Sequence, residues 1–182
     1  MTNRRLIVVC GPPCSGKSTI ARALSARTGA IHLELDSILV RLLPGSAHSE
    51  KDRDVAYRAM HTIAECLLRS VDEVILDATY AREEPRSDLD QIARRSGASI
   101  FIIQCEVPPE TTRARFLERK AGHFAVDLNE ERVFRLAEKY RYTDSSLILD
   151  ATQPINQTLQ NIEPYLGSWT ILRTGGTCAN DL

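Results

Sequence analysis

Gly11-Pro12-Pro13-Cys14-Ser15-Gly16-Lys17-Ser18-Thr19 follows directly on the apolar run Leu6-Ile7-Val8-Val9-Cys10. The stretch matches the phosphate-binding loop pattern G-x-x-x-x-G-K-[ST] at every fixed position, and it lies between a predicted buried strand and a predicted helix. A glycine-rich turn that precedes a helix by chance would not explain this agreement of motif and context. The sequence therefore predicts a nucleoside triphosphate site over residues 11–19.

The backbone of this loop explains how it would hold phosphate. Gly11 and Gly16 allow conformations that a side chain would block, so successive N–H groups can turn inward around phosphate oxygens. The helix that follows adds the positive end of its dipole and its unpaired first-turn N–H groups. In this motif we expect Lys17 to reach the terminal phosphates and the hydroxyl of Ser18 to ligate magnesium.

The composition of the 182 residues is that of one globular domain. No apolar run approaches the roughly 20 residues that span a membrane, and the first residues leave no space for a secretory signal before the first strand. The five cysteines are scattered without a C-x-x-C pair, as in reduced cytosolic thiols. A net charge of −1 gives no global attraction to nucleic acid. We expect a soluble cytoplasmic protein, monomeric or homodimeric, with no membrane partner.

Strand-like and helical stretches alternate along the chain, which predicts a parallel sheet covered on both faces by helices. Helical spacing joins Ala56, Met60 and Ile63, and it recurs at Val133, Leu136 and Ala137. The predicted strands are Leu6–Cys10, Ile31–Leu35, Glu73–Asp77, Ile100–Cys105 and Ser146–Asp150.

Two aspartates follow predicted strands, at the strand ends where open α/β sheets bind ligands. Asp36 follows Ile31–Leu35, and Asp77 closes Glu73–Asp77. A carboxylate there is poorly solvated, so it usually bonds to a metal, a substrate or a neighbouring cap. Asp36 could instead cap a helix that begins at Ser37, and Asp77 could be a turn residue bonded to its own loop.

One predicted helix carries a basic cluster and precedes segment 121–127, whose glycine breaks the helical pattern: Arg113, Arg115, Arg119 and Lys120. Residues 115 and 119 share a helix face, so two guanidinium groups can point together at a polyphosphate. The alternative is a solvated face that pairs with Glu110 and Glu118. Beside a phosphate-binding loop, the cluster predicts a short helical lid over about residues 113–130.

In sum these pieces resemble the small P-loop kinases related to polynucleotide 5′-kinase, zeta toxins and chloramphenicol phosphotransferase. The loop is strongly diagnostic of nucleotide binding, and the other pieces match in their order from Leu6 to about Leu166. The sequence of the predicted lid, Arg119-Lys120-Ala121-Gly122-His123-Phe124, is also similar to that of gluconate kinases. The other matching pieces are Leu35-Asp36-Ser37, Val74–Thr79 with Arg82 and Arg86, Val107-Pro108-Pro109-Glu110 before Arg115 and Arg119, and Leu147–Thr152.

The resemblance implies the α/β fold of P-loop NTPases: a three-layer sandwich with a five-stranded parallel sheet, helices on both faces and a short helical lid. It implies one kinase domain over residues 1–168, followed by a C-terminal tail over 169–182. The implied cofactors are ATP and Mg²⁺, and the adenine would lie near the segment with Gln153 and Pro154.

The resemblance also assigns roles to single residues. Asp36 would be the base or orienting group for an acceptor hydroxyl. Asp77 would join Ser18 in holding magnesium, and Arg115 with Arg119 would clamp the donor phosphates. The implied catalytic set is Lys17, Asp36, Arg115 and Arg119. The implied nucleotide-binding set is Gly11, Pro12, Pro13, Cys14, Ser15, Gly16, Lys17, Ser18, Thr19, Arg115 and Arg119.

One position departs from the polynucleotide-kinase pattern. There the substrate aspartate is commonly followed three residues later by an arginine that grips an acceptor phosphate, whereas this chain has Leu39, and Arg41 points elsewhere on its helix. We therefore favour an ATP-dependent kinase acting on a hydroxyl of a small molecule, such as a sugar, nucleoside or antibiotic. A polynucleotide or nucleotide 5′-kinase is the alternative. A nucleotide-dependent switch or ATPase is less favoured, since Ala78 stands where hydrolytic motors place a water-activating glutamate.

Overall fold

A five-stranded parallel sheet forms the centre of the computed structural model, which describes residues 4–118, 130–140 and 146–167. The strand order β2-β3-β1-β4-β5 places β1 in the middle, hydrogen-bonded to β3 and β4. The predicted α/β fold with five parallel strands is confirmed. The strands are β1 Arg5–Cys10, β2 Ile31–Glu34, β3 Glu73–Asp77, β4 Ser99–Glu106 and β5 Leu147–Asp150.

Helices cover both faces of the sheet because its central strands are apolar on both sides. The described helices are α1 Lys17–Thr28, α2 Leu35–Leu42, α3 Glu50–Leu67, α4 Glu83–Ser96, α5 Pro109–Glu118, α6 Glu130–Lys139 and α7 Ile155–Leu166. Helices α2, α3 and α4 pack on the face that carries Leu6, Val8 and Leu76. Helices α1 and α7 pack on the face that carries Ile7 and Val9. None of the described helices combines the length and apolarity that crossing a membrane requires.

The boundary between β2 and α2 differs from the prediction. The alternating pattern Ile31-His32-Leu33-Glu34-Leu35 is typical of a strand, yet β2 ends at Glu34 and Leu35 begins α2. Leu35 and Leu39, one helical turn apart, are both buried in the core. This packing favours the earlier helix start, and it places Asp36 in the first turn of α2 instead of before the helix.

A capping box fixes the start of α3. The side chain of Ser49 accepts a hydrogen bond from the backbone N–H of Asp52, and the Asp52 carboxylate accepts one from the N–H of Ser49. These reciprocal bonds satisfy two of the unpaired donors at the helix start. They fix the register from which α3 presents Arg53 and Tyr57 one turn apart.

Helices α5 and α6 pack on each other, and the guanidinium of Arg113 lies 4.6 Å from the ring centre of Phe134. Arg113 therefore contributes to the packing of this helix pair. The predicted lid residue Arg119, the segment 121–127 and the predicted tail 169–182 lie outside the described residues.

Candidate active site

The predicted phosphate loop connects β1 to α1 at the carboxyl end of the sheet. Gly11 has φ +152°, and a Cβ there would lie 2.7 Å from the carbonyl oxygen of Cys105. Gly16 has φ +94° and forms the N-terminal cap of α1, whose first residue is Lys17. Both glycines of the motif are thus required by backbone geometry, and Cys14 between them also has a left-handed φ of +63°.

Two adjoining cavities open beside this loop. One of about 230 Å³ is lined by Lys17, Ser18 and Glu34, and the other of about 300 Å³ is lined by Thr152 and Gln153 from the segment after β5. Both also contact Gly16, Thr19 and Arg115. The first has the helix N-terminus and a lysine, which suit phosphates. The second offers amide and hydroxyl groups together with apolar contacts.

Arg115 is held against the loop by hydrogen bonds to backbone carbonyls. Its Nη1 donates to the carbonyl of Ser15 over 3.1 Å, and its Nη2 donates to that of Ala151 over 3.1 Å. A Cβ on Gly16 would lie 3.4 Å from Nη1, so the guanidinium rests directly on the loop. Arg115 thus lies at the loop and lines both adjoining cavities, while its role at the donor phosphates stays a prediction.

Asp77 closes β3 next to the strand that leads into the loop. It is 1% exposed, and it lies beside Val9 of β1 and Glu34 of β2 in the sheet register. Its Oδ2 is 3.4 Å from Nε2 of His32, while its buried Oδ1 accepts no hydrogen bond from the described residues. An unpaired buried carboxylate oxygen is costly, so this position suits a cation or its hydration water.

Glu34 and His32 were not identified from the sequence as site residues. They are two positions apart on β2, and strand periodicity therefore directs both side chains to one face of the sheet. Glu34 lines the loop cavity together with Ser18, and its Oε2 accepts a hydrogen bond from Ser37 over 2.9 Å. Mg²⁺ is usually held by one or two carboxylates plus phosphates. Ser18, Glu34 and Asp77 fit that requirement.

A third cavity, of about 410 Å³, lies on the other side of Lys17. Its wall contains Asp36, whose Oδ1 is 3.5 Å from Nη1 of Arg53, and the two side chains are 28% and 14% exposed. Arg82 and Arg135 also line it. Because Lys17 lines both this cavity and the loop cavity, the two are neighbours across one side chain. We call the 410 Å³ space the acceptor cavity, after the role that we propose for it below.

The wall of the acceptor cavity combines side chains from several elements. Asp36, Tyr57 and the loop after Asp77 line it, but Leu39 is fully buried in the core. Arg41, by contrast, is exposed. Arg135 and Leu136 of α6 were not expected, since no sequence spacing links α6 to α2.

Buried tyrosines hold the loop after β3 in place. Tyr80 is fully buried with a left-handed φ of +52°, and its N–H donates to the hydroxyl of Tyr57 over 3.0 Å. Nε2 of His61 lies 3.0 Å from the Tyr80 hydroxyl. Burial raises the pKa of Tyr57 to about 12. Burial lowers the pKa of His61, and Asp88 opposes that shift only in part.

The side chain of Arg82 extends from this loop to α3. Its Nη1 is 3.0 Å from Glu50, and its Nη2 pairs with Asp54. Although Arg82 lines the acceptor cavity, two carboxylates of α3 therefore already balance its charge.

Two curated relatives indicate the breadth of the similarity. An uncharacterised protein of Mycobacterium tuberculosis is 26% identical over 162 residues, which cover 82% of this chain and 32% of that protein. The chain thus spans about a third of the length of that relative. An adenylate kinase of Thermus thermophilus is 27% identical over 149 residues, 78% of this chain and 80% of the enzyme.

Solved structures share the fold at low sequence identity. A putative kinase from Chloroflexus aurantiacus superposes with a TM-score of 0.74 at 18% identity, covering 92% of this chain and all of the other. A sugar kinase from Janibacter superposes with a TM-score of 0.66 at 21% identity, covering 90% of this chain and 94% of the other. A gluconokinase from Sinorhizobium meliloti superposes with a TM-score of 0.63 at 18% identity, covering 91% of this chain and 92% of the other.

The family comparison covers the phosphate loop, the loop cavity, the acceptor cavity and most of the sheet. Residues 6–143 match the model of an AAA domain family. The structural neighbours are P-loop kinases, in agreement with the resemblance drawn from the sequence. The chain therefore belongs to this AAA domain family and has the P-loop kinase-like form of the fold.

Proposed function

We propose that this protein is an ATP-dependent phosphotransferase that moves the γ-phosphate to a hydroxyl group of a small molecule. The observation that carries the proposal is that Lys17 lines both the loop cavity and the cavity that contains Asp36. A terminal phosphate bound by Lys17 would thus lie beside a space with a carboxylate in its wall. Phosphoryl transfer needs this positioning of donor, cation and base.

The donor half follows from the loop. Backbone N–H groups of residues 11–16 and the start of α1 would bind the phosphates, and Lys17 would contact the terminal one. Arg115 would exchange its carbonyl partners for phosphate oxygens, with Arg119 as the second proposed lid arginine. The adenine would occupy the cavity lined by Thr152 and Gln153.

A magnesium ion bound at Ser18, with Glu34 and Asp77 as its proposed carboxylates, would neutralise charge on the phosphates. His32 would orient Asp77 through its contact with Oδ2. Burial of Asp77 would keep this carboxylate in one position.

The acceptor half depends on Asp36. Its carboxylate would take the proton of the acceptor hydroxyl while the hydroxyl oxygen bonds to the γ-phosphorus and the bond from that phosphorus to the β–γ bridging oxygen breaks, releasing ADP. Arg53, at 3.5 Å, would orient the carboxylate within the cavity. The first turn of α2 provides a rigid support for it.

Two variants test the donor site and the acceptor site separately. Asp36→Asn should leave ATP affinity unchanged and lower transfer about 100-fold or more, since general-base catalysis contributes about 10² to 10⁴. Lys17→Ala should weaken binding of the triphosphate and remove most transfer. Calorimetric titration with a non-hydrolysable ATP analogue gives the affinity, and transfer of label from γ-labelled ATP to a panel of sugars and nucleosides gives the rate. An unchanged rate in Asp36→Asn would remove Asp36 from the reaction.

A polynucleotide or nucleotide kinase is the second candidate, and the arginines of the acceptor cavity favour it. Arg53 and Arg135 line the cavity although Leu39 replaces the expected phosphate-binding arginine. Oligonucleotides and nucleosides with a free 5′-hydroxyl, assayed beside the sugars, distinguish the two. Faster labelling of oligonucleotides than of every small acceptor would support the second candidate.

A further inference from the structure

We infer that Tyr140 is a positioning residue of the transfer reaction, because its hydroxyl joins the strand that leads into the phosphate loop to the wall of the acceptor cavity. This role rests on the proposed kinase function and deepens it. Tyr140 is not among the described residues that line the three cavities, so it would act through its neighbours and not by touching substrate.

Two neighbours meet at the hydroxyl group of Tyr140. The hydroxyl donates a hydrogen bond to the backbone carbonyl of Thr79, in the loop after β3. Its oxygen also forms a hydrogen bond with the thiol of Cys10, the last residue of β1 and the neighbour of Gly11. Because the O–H proton is used on Thr79, the thiol is the donor in this second bond. One hydroxyl therefore bridges the start of the phosphate loop and the loop that carries Thr79.

Burial keeps both side chains of this bridge protonated. It raises the pKa of Cys10 to about 12 and holds the pKa of Tyr140 well above its ordinary value. Removal from water disfavours the charged form of each group. At neutral pH the thiol therefore keeps its S–H donor and the phenol keeps its O–H donor, and the bridge persists.

The ring of Tyr140 is held by the core and by α4. It packs against the core cluster that contains Leu6 and Val8. The guanidinium carbon of Arg86 lies 5.9 Å from the ring centre, a distance at which a cation is attracted to an aromatic face. Nε of Arg86 donates to the carbonyl of Tyr80 over 2.5 Å. Arg86 thus ties the ring to the same loop that the hydroxyl binds.

Tyr140 also fixes one end of a helix that contributes to the acceptor cavity. It directly follows the last residue of α6. Arg135 and Leu136 of that helix line the acceptor cavity, as does Thr79. One side chain therefore holds two parts of the cavity wall, and through Cys10 it holds them relative to the phosphate loop.

The alignment of donor and acceptor is what this bridge would supply to the reaction. Phosphoryl transfer depends mainly on positioning, and a displacement of about 1 Å can lower the rate about 100-fold. The contacts that bind each substrate are made by other residues. Loss of the bridge should therefore leave both affinities nearly intact and slow transfer. Water could then attack the γ-phosphorus more often in place of the acceptor hydroxyl, giving ADP and inorganic phosphate.

The kinetic test compares Tyr140→Phe with Tyr165→Phe in the full chain. Each variant removes one hydroxyl and keeps the ring, and Tyr165 packs on the opposite face of the sheet. Transfer of label from γ-labelled ATP to the best acceptor of the panel and release of labelled inorganic phosphate are measured in one reaction. We expect Tyr140→Phe to lower kcat for transfer at least tenfold, to change both KM values less than about threefold, and to raise the share of ATP that is hydrolysed. Tyr165→Phe should change none of these, and circular dichroism checks that both variants fold.

A pair of variants at Cys10 tests the other side of the bridge. Cys10→Ser and Cys10→Ala both shorten a buried side chain, but only serine keeps a donor for the Tyr140 oxygen. We expect kcat for transfer to be at least threefold higher in Cys10→Ser than in Cys10→Ala. Equal kcat in the two variants would mean that the thiol only fills space, and the bridge would be refuted.

Amide hydrogen exchange tests the bridge without any acceptor. A non-hydrolysable ATP analogue should slow exchange at residues 11–19 in the wild type and in Tyr140→Phe alike. In the wild type the analogue should also slow exchange at residues 79–82 and in α6, because the bridge connects them to the loop. In Tyr140→Phe this distant slowing should fall by at least half.

Failure of the kinase proposal and failure of the bridge give different results. No labelled acceptor with the wild-type protein would refute the kinase proposal, and hydrogen exchange would then decide on the bridge. Equal kcat in Tyr140→Phe and Tyr165→Phe, or equal slowing at residues 79–82 in Tyr140→Phe and the wild type, would overturn the role of Tyr140. A loss of ATP affinity at unchanged kcat would show a merely structural residue and would overturn it as well.

Discussion

Replacing Tyr57 by phenylalanine would show how far the acceptor wall depends on one buried hydrogen bond. The Tyr57 side chain is nearly buried, with 7% of the residue exposed, and its hydroxyl accepts the Tyr80 N–H over 3.0 Å. Phenylalanine keeps the ring in the core and removes only the acceptor. The N–H of fully buried Tyr80 would then lose that partner at a residue that already has a left-handed φ of +52°.

The magnitude follows from this geometry. Leaving a buried donor unsatisfied costs about 1–3 kcal/mol. For a chain of this size each kcal/mol lowers Tm by about 2–4 °C, so a loss near 2 kcal/mol corresponds to about 4–8 °C. Tyr80 can avoid part of the cost by moving. Movement would displace Thr79 and Arg82, which line the acceptor cavity. We therefore expect KM for the acceptor to rise while KM for ATP stays unchanged.

A second tyrosine provides the matched control. The hydroxyl of Tyr165 on α7 accepts the N–H of Ile102 over 3.1 Å, on the face of the sheet opposite the acceptor cavity. That bond is only partly buried, so water can replace the hydroxyl in Tyr165→Phe. We expect a loss below about 1 kcal/mol and unchanged kinetics.

Urea denaturation monitored by circular dichroism gives both free energies of unfolding, and steady-state kinetics with the best acceptor of the panel gives the KM values. Equal stability losses in the two variants would refute the argument from burial. A rise in KM for ATP instead of the acceptor would refute the assignment of the tyrosine-held loop to the acceptor wall.

Two further predictions concern the loop and the pH dependence of stability. Gly11→Ala should weaken binding of a fluorescent ATP analogue at least tenfold and lower the free energy of unfolding by more than 1 kcal/mol, because the added Cβ would lie 2.7 Å from the carbonyl oxygen of Cys105. Gly97→Ala is the control, since Gly97 also has a left-handed φ of +65° but has no atom within 4 Å of the added Cβ. Equal losses of stability in the two variants would contradict the steric explanation. Burial lowers the pKa of His61 in the folded protein, so below about pH 6.5 the imidazole takes up a proton in the unfolded chain but not in the folded one. The free energy of unfolding should therefore fall as the pH decreases, by up to about 1.4 kcal/mol per pH unit. Between pH 8 and pH 5 the urea concentration at the unfolding midpoint should decline less in His61→Gln than in the wild type. If the two proteins lose stability in parallel, His61 is not the group that causes the pH dependence.

Local patterns were sufficient to predict the elements that depend on neighbours in sequence. The loop at residues 11–19 and five strands are confirmed, because apolar runs and the two glycines define them without reference to distant residues. His32 and Glu34 were missed because they come next to Asp77 only through the pairing of β2 with β3. Arg135 was missed for the same kind of reason, since α6 reaches the acceptor cavity only in the folded chain.

The early start of α2 separates two carboxylates that the sequence places only two residues apart. Had the strand continued through Leu35 and Asp36, its periodicity would have directed Glu34 and Asp36 to the same face and the same cavity. Because the helix begins at Leu35, Glu34 ends the strand and lines the loop cavity with Ser18, while Asp36 turns with the first helical residues into the acceptor cavity. In the proposed reaction Glu34 would hold a cation and Asp36 would take a proton. Two carboxylates in one cavity would repel each other and compete for both tasks. The buried pair Leu35 and Leu39, which sets the start of this helix, therefore determines which carboxylate can perform which part of the chemistry.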